Sequence, residues 1–200
     1  MIFVKDILEY ADKIAPLSDA CEWDNCGLLC GDKNAAVSKV LLCLDITHNV
    51  IIEAKQKVCE LIISHHPVIF SPLKSISKDD IIYSLIKNDI SAICLHTNLD
   101  IADNIGVNVC LANTLSLENQ KLYKEDFLCV GNLSDAMSGS QFALFVKEKL
   151  STNCVRFTDS KNITKVGVSS GAGSDAVEKM KDYGIDALVT GEVKHHHFLY

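Results

Sequence analysis

The run Leu61-Ile62-Ile63-Ser64-His65-His66-Pro67-Val68-Ile69-Phe70 places two adjacent histidines at the end of an apolar segment. Residues 61–65 read as a β-strand, because short apolar runs bounded by turn formers are typical of strands. Pro67 disfavours helical backbone at His66, so the pair is expected in extended conformation. Successive side chains of a strand face opposite ways, and the two imidazoles are therefore expected to diverge and to serve different metal ions. The alternative is a pair of ordinary histidines where a loop begins.

Helical and strand patterns alternate on both sides of this run. The predicted helices of this part cover residues 3–15, 48–58, 79–87 and 106–115, and the predicted strands cover residues 39–46, 61–65 and 90–95. This alternation predicts an α/β fold with helices packed on a mostly parallel sheet. Ligands of such sheets bind beyond the carboxyl ends of the strands. The candidate residues that fall there are His65, His66, His96 and Asp100, and their shared position favours a metal site.

The rest of the chain predicts a second α/β half. Its predicted strands are 127–130, 153–157, 164–169 and 186–190, and its predicted helices are 141–150, capped by Ser140, and 175–183. We expect a first half over residues 1–117, a connecting segment over 118–138 and a second half over 139–200. The turn Gly171-Ala172-Gly173 is open to two interpretations, a phosphate cradle or a tightly packed turn. It lacks the lysine of a P-loop, which favours tight packing.

Composition limits the classes of function. The chain is 48% hydrophobic and 22% charged with a formal net charge of −7, which argues against a general nucleic-acid-binding surface. Nine cysteines, an odd number without any Cys-x-x-Cys spacing, are typical of a reduced protein and disfavour a structural zinc. Charged residues interrupt the N-terminus, and no apolar run has membrane-spanning length. We therefore expect a cytoplasmic protein without a membrane partner.

Further polar motifs follow in a fixed order along the chain. Between residues 23 and 32, the sequence does not decide whether Asp24 or Asn25 lines a pocket. The full series is Trp23-Asp24-Asn25-Cys26-Gly27-Leu28-Leu29, Ser64-His65-His66-Pro67, His96-Thr97-Asn98-Leu99-Asp100, Gly106-Val107-Asn108, Gly171-Ala172-Gly173-Ser174 and Thr190-Gly191-Glu192-Val193-Lys194-His195-His196. With these motifs, nearly the whole chain resembles the Nif-three-like dinuclear metal-centre family, also called GTP cyclohydrolase 1 type 2.

The resemblance implies a two-part α/β fold and a ring-shaped homohexamer whose metal sites face an inner cavity. It implies two divalent ions, one on each of the paired histidines, which match His65 and His66. The family's motif aspartate shares an ion with the second histidine and matches Asp100. Four further residues are expected to contact the metal ligands or to line the pocket: His96, Asn25, His195 and His196.

The sequence departs from the family pattern in one respect. The family's remaining ligands, a histidine and a bridging glutamate, lie in a Gly-His-x-x-x-Glu motif some twenty residues after the Thr-Gly-Glu-x-Lys-His-His motif. This sequence ends at Tyr200, before that motif. We therefore expect residues 1–200 alone to bind metal weakly and substoichiometrically, without appreciable hydrolysis.

Two functions are consistent with these motifs. The first is a divalent-metal-dependent hydrolase that activates water against a nucleotide or a similar small anionic substrate. The second is a non-catalytic metal-binding protein with a regulatory or interaction role, because a fold does not fix a function. Mixed imidazole and carboxylate ligands suit zinc, manganese, iron or cobalt, and the sequence does not choose among them.

Overall fold

The chain forms two compact units, Met1–Ala102 and Asp103–Tyr200. They are described from a computed structural model that covers residues 1–199, with side chains through His197. The boundary lies earlier than the expected end of the first half at residue 117. The candidate metal ligands His65, His66 and Asp100 all belong to the first unit.

The first unit is built on a four-stranded sheet. Its strands are β1 (Ile2–Phe3), β2 (Gly27–Cys30), β3 (Ala36–Val37), β4 (Val40–Cys43), β5 (Leu61–Ser64) and β6 (Ser91–Cys94), and its helices are α1 (Val4–Ile14), α2 (His48–Lys57), α3 (Ile81–Lys87) and α4 (Thr97–Asp100). The sheet order is β2-β6-β5-β4, and the short strands β1 and β3 pair separately. Strands β4, β5 and β6 are parallel, whereas β2 runs antiparallel to β6.

Both faces of the two central strands, β5 and β6, are covered, which explains the unbroken apolar run of β5. Leu61 and Ile93 pack in one core cluster together with Val4 of α1. Their chain neighbours Ile62 and Ala92 pack in another, which contains residues of α2 and α3. Side chains alternate across a strand, so a strand covered on both faces has no polar alternation.

The second unit contains the remaining elements. Its helices are α5 (Val107–Thr114), α6 (Gly139–Lys149) and α7 (Met180–Tyr183), and its strands are β7 (Glu118–Tyr123), β8 (Leu128–Met137), β9 (Ile163–Ser169) and β10 (Ala187–Thr190). The sheet order is β10-β9-β8-β7. Only the β9–β10 pair is parallel, and the other two pairings are antiparallel. The predicted α/β class is confirmed, with a mostly parallel first sheet and a mixed second one.

Three details of the second unit differ from expectation. Residues 118–138, expected as a connection with one short strand at 127–130, form two strands; β8 is longer than that prediction, and β7 is a half-exposed edge strand, which needs few apolar residues. Residues 153–157 form no strand, although Val155 packs against the core. Helix α6 is capped by Ser138, not Ser140, because Ser138 and Gln141 form a reciprocal capping box.

The turn at residues 171–173 is glycine-rich because its surroundings are tight. A Cβ atom on Gly173 would lie 2.3 Å from the Ser169 hydroxyl, and the Gly173 N–H donates to the Thr190 hydroxyl at 3.0 Å. A Cβ atom on Gly191 would lie 2.8 Å from the Gly171 carbonyl oxygen. Packing between the ends of β9 and β10 therefore accounts for these glycines.

Strand β4 forms an edge of the first sheet. Leu41 and Cys43 face the core, whereas the side chains of Val40 and Leu42 point outward, and Leu42 is 73% exposed. All nine cysteines are free thiols. None of the helices in the described part of the chain is both long and apolar enough to span a bilayer.

The Glu60 carboxylate holds the backbone just before β4 through several hydrogen bonds. It accepts hydrogen bonds from the backbone N–H groups of Lys39 and Ser38, each at 3.0 Å, and from the Ser38 hydroxyl. The Lys39 and Ser38 N–H groups lower the pKa of Glu60 from 4.5 to about 2. The stabilisation is therefore complete above pH 4.5 and is lost as the pH falls towards 2.

We expect Glu60→Gln to lower the free energy of unfolding at neutral pH by about 1 kcal/mol, a value reduced for solvent exposure. The difference from the unmodified protein should shrink below about pH 4, because the protonated glutamate loses the same advantage. Urea denaturation over a pH series measures it. Glu53→Gln is the matched control, because Glu53 makes only an exposed ion pair with Lys57. An equal loss in both variants would contradict the assignment.

Candidate metal centre

The register between β5 and β6 places the histidines at the carboxyl ends of these two central strands. Ser64 pairs with Cys94, the last residues of two parallel strands. The Leu95 N–H donates to the Ser64 carbonyl at 3.0 Å, which continues the pairing by one step. His65 and His66 follow β5, and His96 follows β6. All three therefore lie at the carboxyl end of the sheet, as the sequence predicts.

The three imidazoles form one cluster. The ring centroids of His65 and His66 are 5.2 Å apart, and that of His96 lies 5.1 and 5.7 Å from them. One ring nitrogen from each residue lies within 4.8 Å of the others. The expected divergence of His65 and His66 is wrong, because β5 ends at Ser64 and strand alternation no longer applies to them. The Ser64 hydroxyl donates to the His66 carbonyl at 2.8 Å within this turn.

Two of the imidazoles are fixed through Nδ1. His65 Nδ1 donates to the Leu95 carbonyl at 3.0 Å, and His66 Nδ1 donates to Asp45 Oδ1 at 2.7 Å. Each acceptor is an oxygen without a proton, so Nδ1 carries the hydrogen. This tautomer leaves the Nε2 lone pair available to a cation.

His96 is oriented in the same way by a carboxylate that the sequence left undecided. Its Nδ1 donates to Asp24 Oδ1 at 2.9 Å, and the Asp24 side chain has no solvent exposure. The Thr97 N–H donates to Asp24 Oδ2 at 3.1 Å, and the Thr97 hydroxyl and the Cys26 thiol donate to the same oxygen. Burial opposes ionisation of Asp24, but these hydrogen bonds hold its pKa well below the usual range.

Asp100 lies beside the first histidine. Its Oδ1 is 3.7 Å from His65 Nε2. Burial lowers the pKa of His65 and outweighs the opposing effect of the Asp100 carboxylate, which favours the neutral, metal-binding imidazole. The resemblance assigned Asp100 to the ion of the second histidine; the structure shows its proximity to the first, and an ion shared with His66 stays a prediction.

The other residues expected around the ligands have different settings. Asn25 donates from Nδ2 to the Ile69 carbonyl at 2.6 Å, so it ties two loops of the first unit together. His195 and His196 are exposed in a 3-10 helix of the second unit, at His195–Leu199.

The donor set fits a divalent metal ion. Two nitrogens bound to one ion at about 2.1 Å are separated by at most about 4.2 Å, so the observed cluster needs only small side-chain rotations. Neutral imidazoles with an adjacent carboxylate suit zinc and the other first-row divalent ions. The sequence predicts His65, His66 and Asp100 as ligands and His96 beside them, and the structure brings His96 into one cluster with the two other histidines. Asp45, which accepts the hydrogen bond of His66, was not among the predicted site residues. The signal for Asp45 was an aspartate two residues after the end of β4, the strand that neighbours β5.

Two histidine–aspartate pairs, one buried and one exposed, allow a matched test. We expect Asp24→Asn to lower the free energy of unfolding by about 2 kcal/mol, because it leaves buried donors without an anionic acceptor. Asp45→Asn should cost less than about 0.5 kcal/mol, because that pair is solvated. Urea denaturation gives both values.

Nitrogen-15 NMR of the imidazoles then reports the tautomers. In Asp24→Asn, we expect His96 to lose its pure Nδ1–H form. The tautomer of His66, whose partner is Asp45, should not depend on this substitution. Equal stability losses, or an unchanged His96 tautomer, would show that Asp24 does not orient the ring.

The chain is similar in sequence to known proteins over nearly its whole length. Residues 2–200 match the family model for Duf34/NIF3 (NGG1p interacting factor 3). A "GTP cyclohydrolase 1 type 2 homolog" of Clostridium acetobutylicum is 32% identical over 208 residues, covering 97% of this chain and 77% of the relative. A protein of the same name from Campylobacter jejuni is 31% identical, with 98% and 79% covered.

Solved structures show the same fold. The Staphylococcus aureus protein SA1388 superposes with a TM-score of 0.91 at 29% identity, over 99% of this chain and 82% of that one. Reduced HcgD from Methanocaldococcus jannaschii gives a TM-score of 0.81 at 28% identity, with 99% and 82% covered. The match over nearly the whole length, in sequence and in fold, shows that this chain belongs to the Duf34/NIF3 family.

Proposed function

We propose that this protein is a divalent-metal-dependent hydrolase of small anionic substrates, nucleotides among them. His65, His66 and Asp100 are the proposed ligands, with His96 as a further nitrogen donor to a dinuclear site. The observation that carries the proposal is the convergence of three imidazoles, with one ring nitrogen of each within 4.8 Å of the others and with Nδ1 of each hydrogen-bonded to an oxygen.

The residues of the chain prepare this site before any ion arrives. The Leu95 carbonyl, Asp45 and Asp24 fix the three rings, so little side-chain entropy is lost on metal binding. When bound, divalent ions lower the pKa of coordinated water and neutralise negative charge on a substrate. The name of the relatives, GTP cyclohydrolase 1 type 2 homolog, supports a nucleotide as the first substrate to test.

A first test measures metal binding. We expect His65→Ala to weaken the binding of zinc or manganese by at least roughly 10- to 100-fold, because it removes a proposed ligand that burial keeps neutral. His48→Ala is the control, since His48 is an exposed histidine of the same unit and contacts the Asp79 carbonyl. Equilibrium dialysis with metal analysis gives the affinities. Equal affinities in the two variants would contradict the proposed ligands.

The same proteins decide between hydrolase and non-catalytic metal binder. Turnover of GTP with added manganese, zinc or iron is measured for residues 1–200 and for a chain extended through a Gly-His-x-x-x-Glu motif. Metal-dependent product formation that His65→Ala abolishes supports the hydrolase. Tight metal binding without turnover of GTP or of other nucleotides in the extended chain would favour the non-catalytic alternative.

We also propose that the protein assembles as a homohexamer, an inference from the family resemblance. Light scattering should then give a mass about six times the 21.9 kDa of the chain. A monomer at high protein concentration, in the 200-residue chain and in the extended chain, would contradict the ring assembly.

A further inference from the structure

Two large aromatic side chains stand exposed beside the histidine cluster. Trp23 is 62% exposed and Phe70 is 54% exposed, and their ring centroids are 6.0 Å apart with the planes tilted by 56°. An aromatic ring that stays in water does not gain the favourable free energy of burying its apolar surface. An adjacent exposed pair of such rings next to a polar site therefore indicates a binding surface. Trp23 is also the only tryptophan of the chain.

Both rings project from anchored backbone. On one side, the side chain of Asp24 is shielded from solvent and held by His96 and Thr97, which fixes the residue that follows Trp23. On the other, Val68 and Ile69 pack against the core of the first unit just before Phe70. Asn25 joins the two segments through its 2.6 Å hydrogen bond to the Ile69 carbonyl. The surface is therefore preorganised, which lowers the entropic cost of binding.

The aromatic pair is continuous with the nitrogen cluster. The Trp23 ring meets the His96 ring edge-on, with centroids 6.5 Å apart and an interplanar angle of 79°. His96 in turn lies 5.1 Å from His65, measured between ring centroids. A single small molecule can therefore contact Trp23 with one end and the cluster with the other.

We propose that Trp23 and Phe70 form a stacking surface for a planar aromatic ring, on a ligand whose anionic end engages the metal-loaded histidines. The inference rests on the proposed function for the anionic end only. A formal net charge of −7 gives the chain no general attraction for anions, so a charge-independent contact complements the metal. Stacking of a flat ring on an aromatic side chain supplies such a contact.

The test uses the fluorescence of Trp23 itself, in the 200-residue protein with and without saturating zinc. Guanosine monophosphate and phenyl phosphate carry a ring and a phosphate, whereas ribose 5-phosphate carries the phosphate alone. We expect the two aromatic ligands to quench Trp23 and to bind roughly 5- to 150-fold more tightly than ribose 5-phosphate. Tighter binding of the nucleotide identifies a nucleobase as the ring; equal binding identifies any flat ring, and both support the surface.

Variants locate the contact. Phe70→Leu keeps the fluorescent reporter and should reduce the preference for aromatic ligands, and Trp23→Leu, followed by calorimetry, should abolish most of it. Tyr10→Leu removes another exposed aromatic ring, in α1 of the same unit, and should leave the preference unchanged. All three substituted residues are largely exposed, so the variants are expected to fold, and circular dichroism checks this.

The outcomes separate the two proposals. If guanosine monophosphate and ribose 5-phosphate bind equally, or if Trp23→Leu keeps the full preference, the stacking surface is refuted whatever the metal does. If ring binding is seen but His65→Ala leaves zinc binding unchanged, the surface stands and the proposed metal site fails. Fluorescence that changes only with protein concentration would assign Trp23 to a contact between copies and would also refute the proposal.

Discussion

The parallel pairing of β5 with β6 is the constraint on which the candidate site depends. Because Ser64 and Cys94 are in register, the residues after them leave the sheet together, and three imidazoles meet without any long-range adjustment. A shift of one residue would reverse the side chains of a strand. The buried faces prevent that shift, since Leu61 and Ile62 belong to different core clusters. The packing of the core thus fixes the position of the polar site.

Orientation of the rings is a separate matter from their position. Each histidine uses Nδ1 for a hydrogen bond to an oxygen, but the three acceptors differ: a backbone carbonyl, an exposed carboxylate and a buried carboxylate. The buried one, Asp24, satisfies several donors at once and comes from a segment distant in sequence. Its charge is stabilised by hydrogen bonds, not by solvent, so His96 and its acceptor form one rigid group.

The sequence predicted what depends on local pattern and missed what depends on pairing. The apolar runs and caps located β5, β6 and α2, and strand ends indicated the edge where His65, His66 and His96 lie. Strand β7 was not predicted within residues 118–138, because an antiparallel edge strand needs no long apolar run. The convergence of His65 and His66 was missed because strand alternation was extended past Ser64, where the strand ends. No periodicity distinguishes Asp24 from Asn25; only the contact with His96 does.

Asp45, just beyond strand β4, contributes both to the orientation of a histidine and to the solubility of an exposed strand. Its outward side chains, Val40 and Leu42, form an apolar stripe on an edge strand, and such edges template aggregation in partly folded chains. Lys39 and Asp45 flank the stripe with opposite charges, the arrangement of gatekeeper residues. Asp45 also holds the ring of His66. Loss of the Asp45 charge would therefore affect the solubility of the partly folded chain as well as the orientation of His66. A poor yield of such a variant would arise from aggregation during folding and not from a defect of the site in the folded protein.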